Sequence, residues 1–428
     1  MNRRQFLSSA LLSGASLAWP AEEPAKPKVR AITAFLKLDR ARYREQIQDT
    51  LKLLRRAKRQ VEAGGYQVEG VRITTQPFRD YARGLSRPDA LRFFRDYDTL
   101  AIQESFDANI GPAMLRDADD PEQAQVLAEI LSATKGLEAS LVIAGEDGIQ
   151  WKCVQAAAKL VKFVEEHSPG SAANFNFAAT AMLAPYAPFY PGSYHLGEGR
   201  RFAIGTEAAN VVDRVFAQTA GNAPLAAARL TRELSAHAVA LEKLAQQVEK
   251  ETGWTYMGID ATPAPLREVS IGAAIEKFTG ARFGSSGTMT AAAAITKAVQ
   301  SVPVKRIGYS GLMLPVMEDS LLAQRWSEGT YDVDSLLAYS AVCGTGLDTI
   351  PMAGDVTQQQ IERILGDVAT LAFQMEEAAD CAAAADQREE GGRPHGVRRS
   401  VSCKHDDSGS AIAITQEPTV QWCSIWNL

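Results

Sequence analysis

Short apolar runs alternate with longer amphipathic stretches along most of this chain. Val29 to Lys37 reads as a strand, and Arg40 to Ala63 as a helix stopped by Gly64-Gly65. Tyr66 to Thr75 is strand-like. Helical stretches follow at about 87–98, 120–134 and 149–166, with an apolar strand, Ala139 to Ala144, before the last. Phe175 to Leu183 and Phe202 to Gly205 are predicted strands, and Leu225 to Glu251 a long helix. Tyr256 to Ile259 is a short strand, Ile271 to Phe278 and Thr290 to Val299 are helices, and Arg306 to Met313 is a strand. Asp355-Val356-Thr357 opens a helix whose apolar residues Ile361, Ile364, Leu365, Val368 and Leu371 share one face. Such alternation predicts parallel α/β structure, in one large domain over residues 28–373.

Composition narrows the function. The 428-residue chain is 46% hydrophobic, as in a globular protein, and its net charge of −6 argues against a nucleic-acid partner. Asn2-Arg3-Arg4-Gln5-Phe6-Leu7 and the apolar run to Trp19 predict a twin-arginine signal over residues 1–21. The expected partner is therefore the twin-arginine export machinery, and the expected destination the periplasm. That run is too short to span a bilayer in the mature protein. No cysteine sits at the junction, so no lipid anchor is expected.

The chemistry-bearing residues concentrate between Met257 and Asp355. Gly258-Ile259-Asp260 and Pro263-Ala264-Pro265 come first, then Gly284-Ser285-Ser286-Gly287-Thr288. The stretch Gly308 to Asp319 and the run Cys343-Gly344-Thr345-Gly346-Leu347-Asp348-Thr349-Ile350-Pro351 complete the set. Glycine and proline crowd here around acids, hydroxyls and one cysteine, as in backbone that approaches a ligand closely. Two earlier motifs, Ala172 to Phe177 and Pro188 to His195, belong with them. In this order, the motifs resemble domain-of-unknown-function family 711, also called uncharacterised protein family 0210, from about Val29 to Phe373. The resemblance implies a fold similar to that of the pyruvate formate-lyase-like glycyl radical enzymes, a closed α/β barrel of two half-barrels. It brings no catalytic residues with it.

Each candidate has a chemical and a structural reading. Cys343 follows a helical stretch, Val333 to Val342, and could serve as a nucleophile or radical relay, or be a buried structural cysteine. Asp260, Glu318, Asp319, Asp348 and Asp355 lie at strand ends or turns, where carboxylates act as acid and base or hold a divalent metal. Glu318-Asp319 and Asp355 also precede helices and could cap them, which is the favoured role for Asp355. His195 is an acid–base candidate or a hydrogen-bonded structural histidine. Ser285, Ser286, Gly287 and Thr288 open a helix; they could bind an anion or simply cap it, and without a lysine they are no Walker loop. Asn174 and Asn176 alternate along a predicted strand and should share a ligand-binding face. Arg306-Ile307-Gly308-Tyr309 lacks the spacing of a glycyl radical loop, so that chemistry is not expected. Together these residues predict a small polar or anionic metabolite as ligand, taken either by an enzyme or by a non-catalytic periplasmic binder. The identity of any metal or cofactor and the oligomeric state stay open.

From about Gln374 the pattern breaks down. If each codon is read from its second base, the stretch after Gln374 admits Lys-Trp-Lys-Lys-Pro-Leu-Thr-Ala-Arg-Leu-Leu-Pro, similar to the family's ordinary C-terminus. One inserted base predicts that residues 374–428 are an aberrant, disordered tail and that the last barrel segment is lost; a merely divergent tail is the alternative. Cys381, Cys403 and Cys423 fall there, leaving Cys153 and Cys343, which form neither a disulfide framework nor a zinc signature.

Overall fold

The computed structural model describes residues 25–389. A single mixed sheet organises them. Its strands are β1 (Lys28–Leu36), β2 (Val68–Thr75), β3 (Asp107–Pro112), β4 (Leu137–Gly145), β5 (Gly148–Ile149), β6 (Phe177–Ala181), β7 (Arg201–Glu207) and β8 (Thr255–Asp260). The order is β5-β4-β3-β2-β1-β7-β8, with β6 beside β4. From β1 to β4, and on to β6, neighbours run parallel; β7 is antiparallel to β1, and β8 runs with β7. Two oppositely directed sets therefore meet at the β1–β7 pair. The α/β class holds. Among the described residues no ladder joins β6 to β8, so the sheet path stays open where the expected barrel would close.

Strand alternation separates two environments. On β1, Ile32, Ala34 and Leu36 belong to the main core, which includes residues of the helices Tyr43–Ala63 and Ala223–Thr252. Thr33, on the opposite face, donates a hydrogen bond to Pro188 O at 2.7 Å. That inner face is covered by the loop between β6 and β7. Thr74 reaches Tyr190 Oη (2.9 Å) and Ser193 Oγ (3.0 Å), and Asn109 Nδ2 donates to Pro191 O (2.6 Å). Two later segments, 308–319 and 343–350, cross each other. A Cβ on Gly311 would stand 2.5 Å from Gly344 Cα, so only glycine permits the crossing.

Three expectations need correction. Arg306 to Met313 is not a strand: a lone bridge joins Arg306 to Ile259, and beyond it the chain turns at Gly308 (φ 71°) and Ser310 (φ 47°). Side chains take over from a ladder there, because Asp260, Thr262 and Thr296 accept the amides of Tyr309 to Leu312. Asn174 and Asn176 lie in a short 3₁₀ segment, Pro169–Asn176, ahead of β6. Their amides bond Val161 O and Lys135 O, so they fix this turn rather than line one strand face. The helix predicted from Asp355 starts at Gln358, and Thr357 Oγ1 accepts the Gln360 amide in the capping role expected of Asp355. This helix runs through the expected boundary at Gln374 to Glu389. The rest of the expected tail, and the predicted signal segment at residues 1–21, lie outside the described residues.

Candidate functional site

A charged chamber lies where β1 to β4 begin and β7 ends. Its centre is Arg30. The β1–β7 register skips between Val29 and Ala31, which makes Arg30 the extra residue of a bulge; bulges commonly re-aim a side chain. The guanidinium meets Glu318 Oε2 at 2.8 Å, Glu207 Oε2 at 3.3 Å and Glu69 Oε2 at 3.4 Å. Lys28 adds contacts to Glu69 (2.8 Å) and Glu207 (3.6 Å). Arg72 stacks over the Tyr190 ring, and its Nε lies 3.4 Å from Asp107 without a hydrogen bond. The chamber is open on one side, since the Asp107 side chain is 53% exposed and that of Glu318 20%.

Carboxyl groups outnumber cations here, and burial penalises their charge. Burial pushes Glu138 up to about 8, against the attraction of Arg72. Burial, and then a hydrogen bond with Glu69, raises Glu207 to about 7. Glu318 is raised by burial although Arg30 opposes it. Asp348 is raised well above the usual carboxylate range, by burial and then by the neighbouring Glu318. Its side chain is completely buried, and neither carboxyl oxygen has a hydrogen-bond partner in the described structure. The backbone holds it there: Asp348 O accepts the Val316 amide at 3.1 Å, and Thr349 adopts φ 44°. A β-branched residue in that conformation is strained, which is most often tolerated at functional sites.

Cys343 occupies a separate cleft of about 260 Å³. Met182, Leu183, Gly308, Tyr309 and Met375 line it, and Asp260 and Glu318 do not. Burial pushes the thiol up, although the Gly346 amide donates to Sγ at 2.9 Å. The cysteine follows the C-terminal end of the helix Val333–Ser340, whose dipole disfavours a thiolate. The helix end therefore works against nucleophile activation.

The other candidates stand apart from the chamber or serve the fold. Asp260 accepts from Tyr309 N (2.7 Å), Thr262 N (3.0 Å) and Ser310 N (3.1 Å), so it pins the turn after β8; burial raises it to about 6. Gly308 is needed beside it, because a Cβ there would lie 2.3 Å from Asp260 Oδ2. Asp319 joins two helix starts. It accepts from Ser270 Oγ and the Ile271 amide, and also from the amides of Leu321 and Leu322. His195 lies beyond the opposite strand ends. Its amide bonds Thr75 O, Nε2 is 3.0 Å from Gly197 O, and burial lowers its pKa to about 4. Ser285, Ser286 and Gly287 are exposed at the start of the helix Thr288–Gln300, and Thr288 Oγ1 closes that turn onto Ser285 O. Of the predicted acids, then, the fold brings Glu318 and Asp348 together and leaves Asp260 and Asp319 as anchors.

Arg30, Arg72, Glu138 and Glu207 escaped the sequence reading. A signal was present: Arg30, Arg72 and Glu138 interrupt otherwise apolar or β-branched strands. A charge inside a buried strand needs a partner, and pairing brings these together. Among the described residues, no group of three or more His, Cys, Asp and Glu side chains could hold a metal ion, and no helix is long and apolar enough to cross a membrane.

Comparison with known proteins agrees with the motif resemblance. A UPF0210 protein of Pyrobaculum aerophilum is 33% identical over 265 residues, covering 58% of this chain and 57% of that protein. One of Pyrobaculum islandicum is 28% identical over 355 residues, 78% of this chain and 77% of that protein. One of Oenococcus oeni is 23% identical over 349 residues, again 78% and 77%. Among solved structures, the anaerobic ribonucleotide reductase from Thermotoga maritima in complex with dATP and CTP aligns with a TM-score of 0.39 and 9% identity, over 81% of this chain and 74% of that one. The protein-family model described as Uncharacterised ACR (DUF711) matches residues 23–381, and the chain belongs to that family.

Proposed function

We propose that the chain is an enzyme that moves a proton on a small polar metabolite in the Arg30 chamber, with Glu318 and Asp348 as its acid–base groups. One observation carries this reading: a fully buried aspartate with two unpartnered oxygens beside a second carboxyl of raised pKa. A purely structural carboxylate would be hydrogen-bonded, as Asp260 is. Perturbed carboxyls grouped together, one of them partly exposed as Glu318 is, are candidates for proton transfer near neutral pH. An anionic metabolite fits less well, because Arg30 already faces three carboxylates. The test is a turnover screen of neutral and charged polar metabolites with the full chain, repeated with Glu318→Gln and Asp348→Asn. Turnover should fall at least tenfold in both variants, and unchanged turnover in both removes the assignment.

A non-catalytic binder is the second reading. The burial-raised Cys343 thiol favours it, since it supplies no ready nucleophile. A ligand that raises the melting temperature without any product formed would decide for it. We also propose export by the twin-arginine route, tested by fractionating cells that carry Arg3→Lys with Arg4→Lys; a protein still found in the periplasm removes that proposal. The altered reading frame after Gln374 is proposed on codon grounds alone, and resequencing the gene tests it.

A further inference from the structure

We propose that the chamber beside Asp348 binds a primary ammonium group, so that its ligand is a small amine. The inference deepens the reading above and rests on the same chamber. The backbone brings Asp348 beside the segment that carries Glu318, through the Pro315–Asp348 bridge and the Val316 amide on Asp348 O, and Glu318 binds Arg30 at 2.8 Å. Glu318 acts electrostatically on both Asp348 and Glu138, and Arg30 is the cation shared among them. Arg30 is already engaged with Glu318, Glu207 and Glu69, so among the described residues Asp348 has no cation of its own. Ser140 lies two residues beyond Glu138 on the same strand face, and its Oγ is also buried without a partner among the described residues. Beside Asp348 the unmatched groups are thus acceptors, or a hydroxyl able to accept; the unmatched donor of the chamber, Arg72 Nε, already lies 3.4 Å from Asp107. An ammonium group offers three N–H donors and one positive charge in a compact head, and so supplies both missing features. A divalent metal is a poorer match, because no three potential ligands converge among the described residues.

The test is thermal unfolding of the full chain in methylammonium, tetramethylammonium or sodium chloride at equal ionic strength. Methylammonium carries N–H donors, and tetramethylammonium has the same charge with none. Methylammonium alone should raise the melting temperature, saturably and by on the order of a few degrees. The shift should vanish in Asp348→Asn, which keeps the shape and removes the carboxylate that the ammonium would pair with. Equal shifts in all three salts, or a shift that survives in Asp348→Asn, overturns the proposal. The wild-type comparison stands alone if the variant does not fold. A methylammonium-specific shift without metabolite turnover keeps the amine site and removes the catalytic reading; turnover of metabolites lacking an amine does the reverse.

Discussion

Asp260 and Asp348 are both completely buried, yet their surroundings are opposites. Three backbone amides converge on the Asp260 carboxylate, and the turn after β8 is built around it. Among the described residues no donor reaches the Asp348 side chain, although its own carbonyl holds the Val316 amide. A buried acid with every bond satisfied is a structural part; one with none costs stability unless something else completes it. The two regions therefore separate what holds the protein together from what is available to act.

The largest expected effect tests that contrast directly. Asp260→Ala strands the amides of Tyr309 and Ser310 and should destabilise by on the order of 3 kcal/mol. Asp348→Asn should leave stability unchanged or raise it. Denaturant midpoints for both variants check this, and a strongly destabilised Asp348→Asn would mean that this side chain has a structural partner after all. Next comes Glu318→Gln, which removes the 2.8 Å partner of Arg30. Because both side chains are partly exposed and Glu207 and Glu69 remain nearby, a loss of about 1–2 kcal/mol is expected by the same measurement.

The pH response of the chamber gives a smaller, graded effect. Glu138 titrates at about 8 in the folded protein against an ordinary value of 4.5. Below the ordinary value both states are protonated, and the site contributes no pH dependence. As pH rises toward 8, the unfolded chain loses a proton that the folded chain keeps, so this group lowers stability across that window and levels off above it. Glu138→Gln should thus gain on wild type between pH 5 and pH 9. A difference independent of pH would place Glu138 in an ordinary aqueous environment. The smallest effect concerns Cys343. With its thiol pushed up and Sγ occupied by the Gly346 amide, alkylation by iodoacetamide at neutral pH should be slower than for a free cysteine. Faster alkylation would restore Cys343 as a nucleophile and shift interest from the chamber to the cleft.

Much of the fold was legible in advance. The apolar run at Val29, the stop at Gly64-Gly65 and the long pattern over 225–251 became β1, the end of the helix Tyr43–Ala63 and the helix Ala223–Thr252. Local periodicity suffices where one face of an element meets the core. It failed at Arg306 to Met313, where apolar content suggested a strand but glycines and the Asp260 carboxylate set the backbone. It failed again at Asn174 and Asn176, because the start of β6 is decided by pairing with β4 and not by local alternation.

By itself the sequence determined the α/β class, the order of most elements and the family, since these depend on local periodicity and on motifs read in chain order. Only the tertiary structure decided which charges meet. Glu207 and Glu318 lie 177 and 288 residues from Arg30 along the chain and come within 3.3 Å and 2.8 Å of its guanidinium only through the β1–β7 pairing and the crossing of 308–319 with 343–350. Partnership between buried charges depends on distance in space and on what else has been excluded from the site, and neither is written in the spacing of residues along the chain.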